Sequence, residues 1–189
     1  MKRARGIPWW TCLLASVALA MPAVAFDVAV LMQQLAQAKH GEVRFEEKKF
    51  SSLLTTPLES AGTLRYAPPD RLEKRTEKPA SERMVVEGDQ LTITRGGRVR
   101  SLSLAQYPVI QAFIESIRGT LAGDRAALER FYRLRLEGEP GRWWLTLEPI
   151  APDMRALVQS IRISGSKAQV REVEIFEVGG DRSVMTITE

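Results

Sequence analysis

With 189 residues, one cysteine and one histidine, the chain is long enough to bury a sizeable core. It is too poor in thiols and imidazoles for a disulfide scaffold, a cysteine-rich zinc site or a multi-histidine metal centre. Three of its 27 Lys+Arg, namely Lys2, Arg3 and Arg5, fall in the first 25 residues, leaving 24 against 23 Asp+Glu, so a nucleic-acid role loses most of its support.

The opening "MKRARGIPWWTCLLASVALAMPAVAF" has the three zones of a secretory signal peptide: a basic start, an apolar stretch from Leu13 to Ala20, and Ala23-Val24-Ala25 as a small-x-small cleavage site. Cleavage is expected after Ala25, giving an exported protein whose single domain runs from residue 26 to 189. The apolar run is shorter than the roughly 20 residues of a spanning helix. Cys12, in "WWTC", lacks the small-residue context of a lipidation site. Without Cys12 the mature chain holds no cysteine, so apolar burial alone must stabilise it.

Asp27 is a plausible N-cap, and Val28, Leu31, Met32 and Leu35 repeat at helical spacing, which predicts a helix over 28–39 closing at Gly41. His40, in "AKHG", reads as a cation at that helix end. From Glu42 the period becomes two. Val43 and Phe45 share one face of a strand, and Leu64 and Tyr66 one face of the next. The second strand meets Pro68-Pro69 and is followed by a charged run, Arg71 to Lys78, whose one apolar residue is Leu72. "RMVVEGDQLTITRGGRVRSLSL" predicts three short strands with turns at Gly88-Asp89 and Gly96-Gly97.

Pro108 then starts a helix with Ile110, Phe113, Ile114 and Ile117 along one stripe, and Asp124 caps a shorter helix carrying Leu128 and Phe131. Short strands resume through "YRLRLEG", "RWWLTLEPI", "IRISGSKAQVREVEIFEVGG" and "RSVMTITE", with turns expected at Gly138 to Gly141, Gly165-Ser166 and Gly179-Gly180. The organisation is one helix, about four to five strands, a helical insertion and about five more strands. A single antiparallel sheet of that size must curl, and the two amphipathic helical segments are its natural filling.

A catalytic set is missing from this pattern. One histidine supports no Ser-His arrangement, and "EGEPG" lacks the spacing and the lysine of a phosphate loop. Glu172 and Glu174 share a strand face but alternate with Val173 and Ile175, so they read as the wet side of a sheet. Of Trp143 and Trp144, which must point to opposite faces, at least one reads as ordinary packing. No enzymatic activity, catalytic residue, metal or cofactor is expected.

In the order of its elements, from the leader, the N-terminal helix and "VRFEEKKF" onward and most densely between residues 62 and 93, the chain resembles the periplasmic lipoprotein carriers of the LolA type. Gly62 and Leu64 stand in the place of their G-x-L strand, Pro69 at the break, Leu72 in the following strand, then Pro79, and Val85-Val86, Gly88 and Leu91 at the v-x-D-G-x-x-L turn. The resemblance implies a mainly β, α+β fold, an unclosed antiparallel β-barrel with a helical lid. It also implies binding of lipoprotein acyl chains or a similar lipid-like cargo for transfer across the periplasm, by a monomer working between inner-membrane donor and outer-membrane acceptor proteins. A non-transporting lipid or lipoprotein sensor, or an accessory module of envelope lipid biosynthesis, is the alternative.

On this reading Pro69 marks a place where edge segments of the barrel part, and the charges after it face water at the rim. Cargo contacts are expected at Val43, Phe45, Leu64, Tyr66, Leu72, Val86, Leu91 and Ile93 on the strands and at Ile110, Phe113, Ile114 and Ile117 on the helix above them. The family's arginine that ties lid to barrel precedes the proline, where this chain has Pro68. The helix from Pro108 to Arg118 is therefore expected to be held mainly by apolar contact and to open readily.

Overall fold

Two antiparallel meanders share one sheet. The computed structural model describes residues 26–38 and 41–188; the expected leader and cleavage site, and His40, lie outside the described residues. After helix α1 (Val28–Ala36) come β1 (Glu42–Phe50), β2 (Leu58–Ala67), β3 (Arg71–Lys78), β4 (Glu82–Glu87), β5 (Gln90–Arg95) and β6 (Arg98–Ser103). A 3-10 turn at Leu104–Gln106 leads into α2 (Pro108–Ala122) and α3 (Arg125–Glu129). The second meander is β7 (Tyr132–Glu139), β8 (Arg142–Pro149), β9 (Val158–Ser166), β10 (Gln169–Glu177) and β11 (Arg182–Thr188), with α4 (Pro152–Arg155) between β8 and β9.

The sheet has 11 strands in the order β6-β5-β4-β3-β2-β1-β11-β10-β9-β8-β7. Its first and last strands are neighbours, with Phe45 opposite Ile187, and β6 and β7 are left as the free edges. The segment joining those two edges is the helical insertion. The barrel is thus unclosed where the chain leaves it to build its own cover.

The elements follow from the residues that start and stop them. Asp27 caps α1 by accepting from the Val30 amide at 2.9 Å, and Asp124 caps α3 by accepting from Ala127 at 2.9 Å. Pro108 occupies the first turn of α2, where a missing N–H costs nothing, and Gly123 ends the helix in the left-handed region at φ 64°. A side chain on Gly123 would also stand 2.1 Å from the Met32 carbonyl oxygen, so glycine is what lets α1 lie against the end of α2.

Several expectations are corrected. The first meander has six strands, and α1 stops at Ala36. The turn after β9 is made by Lys167 and Ala168, while Gly165 is a strand residue: a Cβ there would meet the Trp143 ring at 2.4 Å. Gly138 likewise lies within β7, and Pro140-Gly141 makes the turn. Trp143 is fully buried and donates to the Lys167 carbonyl at 2.9 Å, whereas Trp144 on the opposite face lies under the Arg142 guanidinium.

The double proline does not mark parting strands. Pro68, Pro69 and Asp70 form a hairpin turn, and β2 pairs with β3 from Ala67–Arg71 onward. A turn needs no ladder donor from either proline, so both are accommodated without loss. The charged run is an interior strand. Its Leu72 faces inward, and Glu73 on the other face is covered by three arginines: Arg83 at 2.6 Å, Arg75 at 3.3 Å and Arg71 at 3.5 Å. Glu174 is no wet-face residue either; its side chain is 9 % exposed and accepts from Arg162 at 2.7 Å.

Gly62 shows why the G-x-L pattern begins with glycine. It sits at a register shift between β2 and β3, and a Cβ there would lie 1.9 Å from the Arg75 carbonyl oxygen. Gly62→Ala is expected to lose about 1–3 kcal/mol, because the ladder must open to admit the methyl. A urea midpoint equal to the parent's would contradict this.

Two buried clusters fill the curl. One joins α1, α3 and α4 to β1, β2 and the second meander through residues such as Leu31, Leu35, Phe45, Leu128, Trp143 and Ile161. The other, under α2, is built from Tyr66, Leu72, Val86, Leu91 and Leu104.

Candidate ligand cavity

At the seam between these clusters an apolar cavity of about 330 Å³ remains. Its sheet side is made by Val43 of β1, Leu64 and Tyr66 of β2, Leu72 of β3, Ile163 of β9, Val170 and Val173 of β10, and Met185 and Ile187 of β11. Leu35 of α1 and Ile117, Thr120 and Leu121 of α2 cover it. Polar residues cluster at the strand ends, with Glu42, Gln169, Arg171 and Thr188 on the lining and exposed.

Of the twelve positions singled out in the sequence, the cavity brings together Val43, Leu64, Tyr66, Leu72 and Ile117. Phe45 is buried in the first cluster and Phe113 packs beside it. Val86 and Leu91 belong to the second cluster, with Ile93 and Ile114 against it. Ile110 is 37 % exposed and does not line this cavity. Sequence reading missed the half contributed by β9 to β11, although Met185 and Ile187 carry the same period-two signal. That signal acquires meaning only when β11 is known to lie beside β1.

Beyond the cavity, farther along the inner face of β1, β3 and β11, the residues turn polar. Glu47 accepts from Lys74 at 2.7 Å and from Ser183 at 2.7 Å, and Lys74 also stands 4.8 Å over the Phe45 ring. Burial pushes the Glu47 carboxyl up, but Lys74 and the hydroxyls outweigh it and hold the group below its ordinary value. Hydrogen bonding from Arg83 does the same for Glu73 against a smaller opposing effect of burial.

A carboxyl whose pKa is lowered by folding stabilises the protein above its unfolded pKa, near about 4.3, and loses that contribution as pH falls through the folded value. Stability is therefore expected to fall more steeply below about pH 4.5 in the parent than in Glu47→Gln or Glu73→Gln. Parallel pH profiles of the urea midpoint would count against both assignments.

α2 is fastened by more than apolar contact. Arg118 donates to the Gly88 carbonyl at 2.8 Å and to the Asp70 carbonyl at 3.3 Å, and pairs with Glu115 one turn back. Those carbonyls belong to the β4–β5 and β2–β3 turns, so one guanidinium ties the helix to two hairpins. Nearer the other end, Tyr132 of β7 donates to the Ala112 carbonyl at 2.8 Å. Burial chiefly keeps its phenol far above the usual range, so it remains a donor across the physiological pH range. The expectation of a helix held mainly by side-chain apolarity is corrected: the tying arginine comes from the helix, not from the position before Pro69.

An unclosed antiparallel barrel with helices over its open face and an apolar cavity between them is the class of protein these elements define. The family model of outer membrane lipoprotein carrier protein LolA-like proteins matches residues 20–188, and the chain belongs to that family. Among solved structures it is similar to a LolA superfamily protein from Nitrosomonas europaea, with 13 % identity, a TM-score of 0.46, and 87 % of this chain and 93 % of that one covered. It is also similar to LprF from Mycobacterium bovis, with 13 % identity, a TM-score of 0.37 and coverages of 86 % and 91 %. For the lipoprotein LppX from Mycobacterium tuberculosis the values are 10 %, 0.40, 85 % and 93 %. No curated protein sequence matches the chain. No described helix is long and apolar enough to cross a membrane.

Proposed function

We propose that this LolA-like protein is a single-domain, non-enzymatic carrier or chaperone of the periplasm that shields a lipid-like cargo, such as an acyl chain, during transfer toward the outer membrane. The observation that carries the reading is the apolar cavity of about 330 Å³ between α2 and the sheet. Each methylene moved from water into such walls contributes about 0.8 kcal/mol, so a chain of moderate length is held without polar chemistry. The family membership and the signal-peptide pattern support the same reading.

Native mass spectrometry of protein gently extracted from the periplasm is expected to show a co-purifying lipid, and the emptied protein to take up a fluorescent fatty acid. A protein that carries nothing and takes up nothing would overturn the proposal.

A further inference from the structure

The cavity's size and surroundings specify the cargo more narrowly than "lipid". Space for about 330 Å³ corresponds to roughly eleven small groups at the liquid volume of about 30 Å³ each. That is one acyl chain, not the two or three of a lipoprotein anchor or a phospholipid. The rest of the curl is already occupied. Leu31, Trp143 and Leu145 fill the side toward β7, each fully buried, and Val86, Leu91 and Leu104 fill the side toward β6, each at most 4 % exposed.

Enlarging the space would require α2 to move, and Arg118 and Tyr132 fasten it to the two meanders at different points. Tyr66, one of the lining residues, is itself fixed by donating to the Pro69 carbonyl at 2.9 Å. The exposed polar residues of the lining lie together where β10 begins, β11 ends and β1 begins, while the polar groups of Thr120 and Tyr66 are bonded to the Ser116 and Pro69 carbonyls. A ligand therefore enters apolar end first and leaves its head among Glu42, Gln169, Arg171 and Thr188. With both signs of charge there, the mouth places no single demand on the head.

From this geometry we infer that the cargo is a single-chain amphiphile, one acyl or similar chain of about eleven or twelve carbons inserted tail first with its head at the β10–β11–β1 mouth. The inference rests on the carrier reading above and departs from a multi-chain lipoprotein anchor as cargo.

The test is a chain-length series of saturated fatty acids, from eight to eighteen carbons, titrated against the emptied protein below their micelle-forming concentrations. A single-chain lysophospholipid and a synthetic tripalmitoyl lipopeptide complete the set. Affinity is expected to rise about fourfold per methylene up to roughly twelve carbons and then to level off, with one ligand per protein. The twelve-carbon lysophospholipid is expected within a few-fold of the twelve-carbon acid, and the lipopeptide no tighter than a single chain. Affinity that keeps climbing to eighteen carbons, or a lipopeptide that binds tightest, overturns the single-chain inference and leaves the carrier reading standing. Failure of every probe to bind overturns the carrier reading itself.

Discussion

Arg118→Ala is expected to destabilise the protein by about 3–5 kcal/mol, because it leaves a carboxylate behind with its main partner gone. Glu115 has a side chain only 5 % exposed, and Arg118 itself is 16 % exposed. Removing the guanidinium also leaves the Gly88 and Asp70 carbonyls without that donor. The double variant Arg118→Met with Glu115→Gln removes both charges and is expected to lose far less than the single change. Arg118→Lys keeps the charge but cannot reach two carbonyls and a carboxylate from one planar fork, so it should fall between.

Hydrogen exchange locates the effect. Amides of α2 are expected to lose protection in Arg118→Ala while those of β8 and β9, far from the latch, change only with global stability. If the alanine variant unfolds at the parent's urea concentration and α2 exchanges as before, Arg118 is no latch.

The parts of this fold that were legible in the sequence are those set by neighbours in the chain. Gly88 and Gly96-Gly97 announce hairpins because only a short stretch decides them, and Asp27, Pro108 and Asp124 announce helix starts for the same reason. What stayed hidden depends on distant partners. The stripe Ile110, Phe113, Ile114 and Ile117 suggests one apolar face, yet the residues most buried in α2 are Ala112, Glu115, Ser116, Gly119 and Thr120. The helix is wedged between two clusters, so its deepest line is made of small and polar groups that permit close approach, while larger side chains flank it. Phe113 goes to one cluster and Ile114 and Ile117 to the other. Likewise, Arg118 looks like any solvent-facing arginine until two hairpin turns more than twenty residues away bring their carbonyls to it. Glu73 looks like rim charge until β4 brings Arg83 beside it.

Val43→Trp is expected to weaken cargo binding by on the order of a hundredfold while leaving the fold intact. Val43 is half-buried near the polar end of the cavity, opposite Leu64 across the β1–β2 ladder. An indole there grows into space the ligand would use. Displacing about four methylenes' worth of burial costs about 3 kcal/mol of affinity. Because the ring enters empty volume instead of a packed site, stability should stay within about 1 kcal/mol of the parent. Val99→Trp, at a position 65 % exposed on the edge strand β6, adds the same group away from the cavity and should bind as the parent does. Binding measured by displacement of a fluorescent fatty acid distinguishes the cases. Were Val43→Trp to bind the twelve-carbon acid as tightly as Val99→Trp does, the cavity between α2 and the sheet would not be where the chain is held.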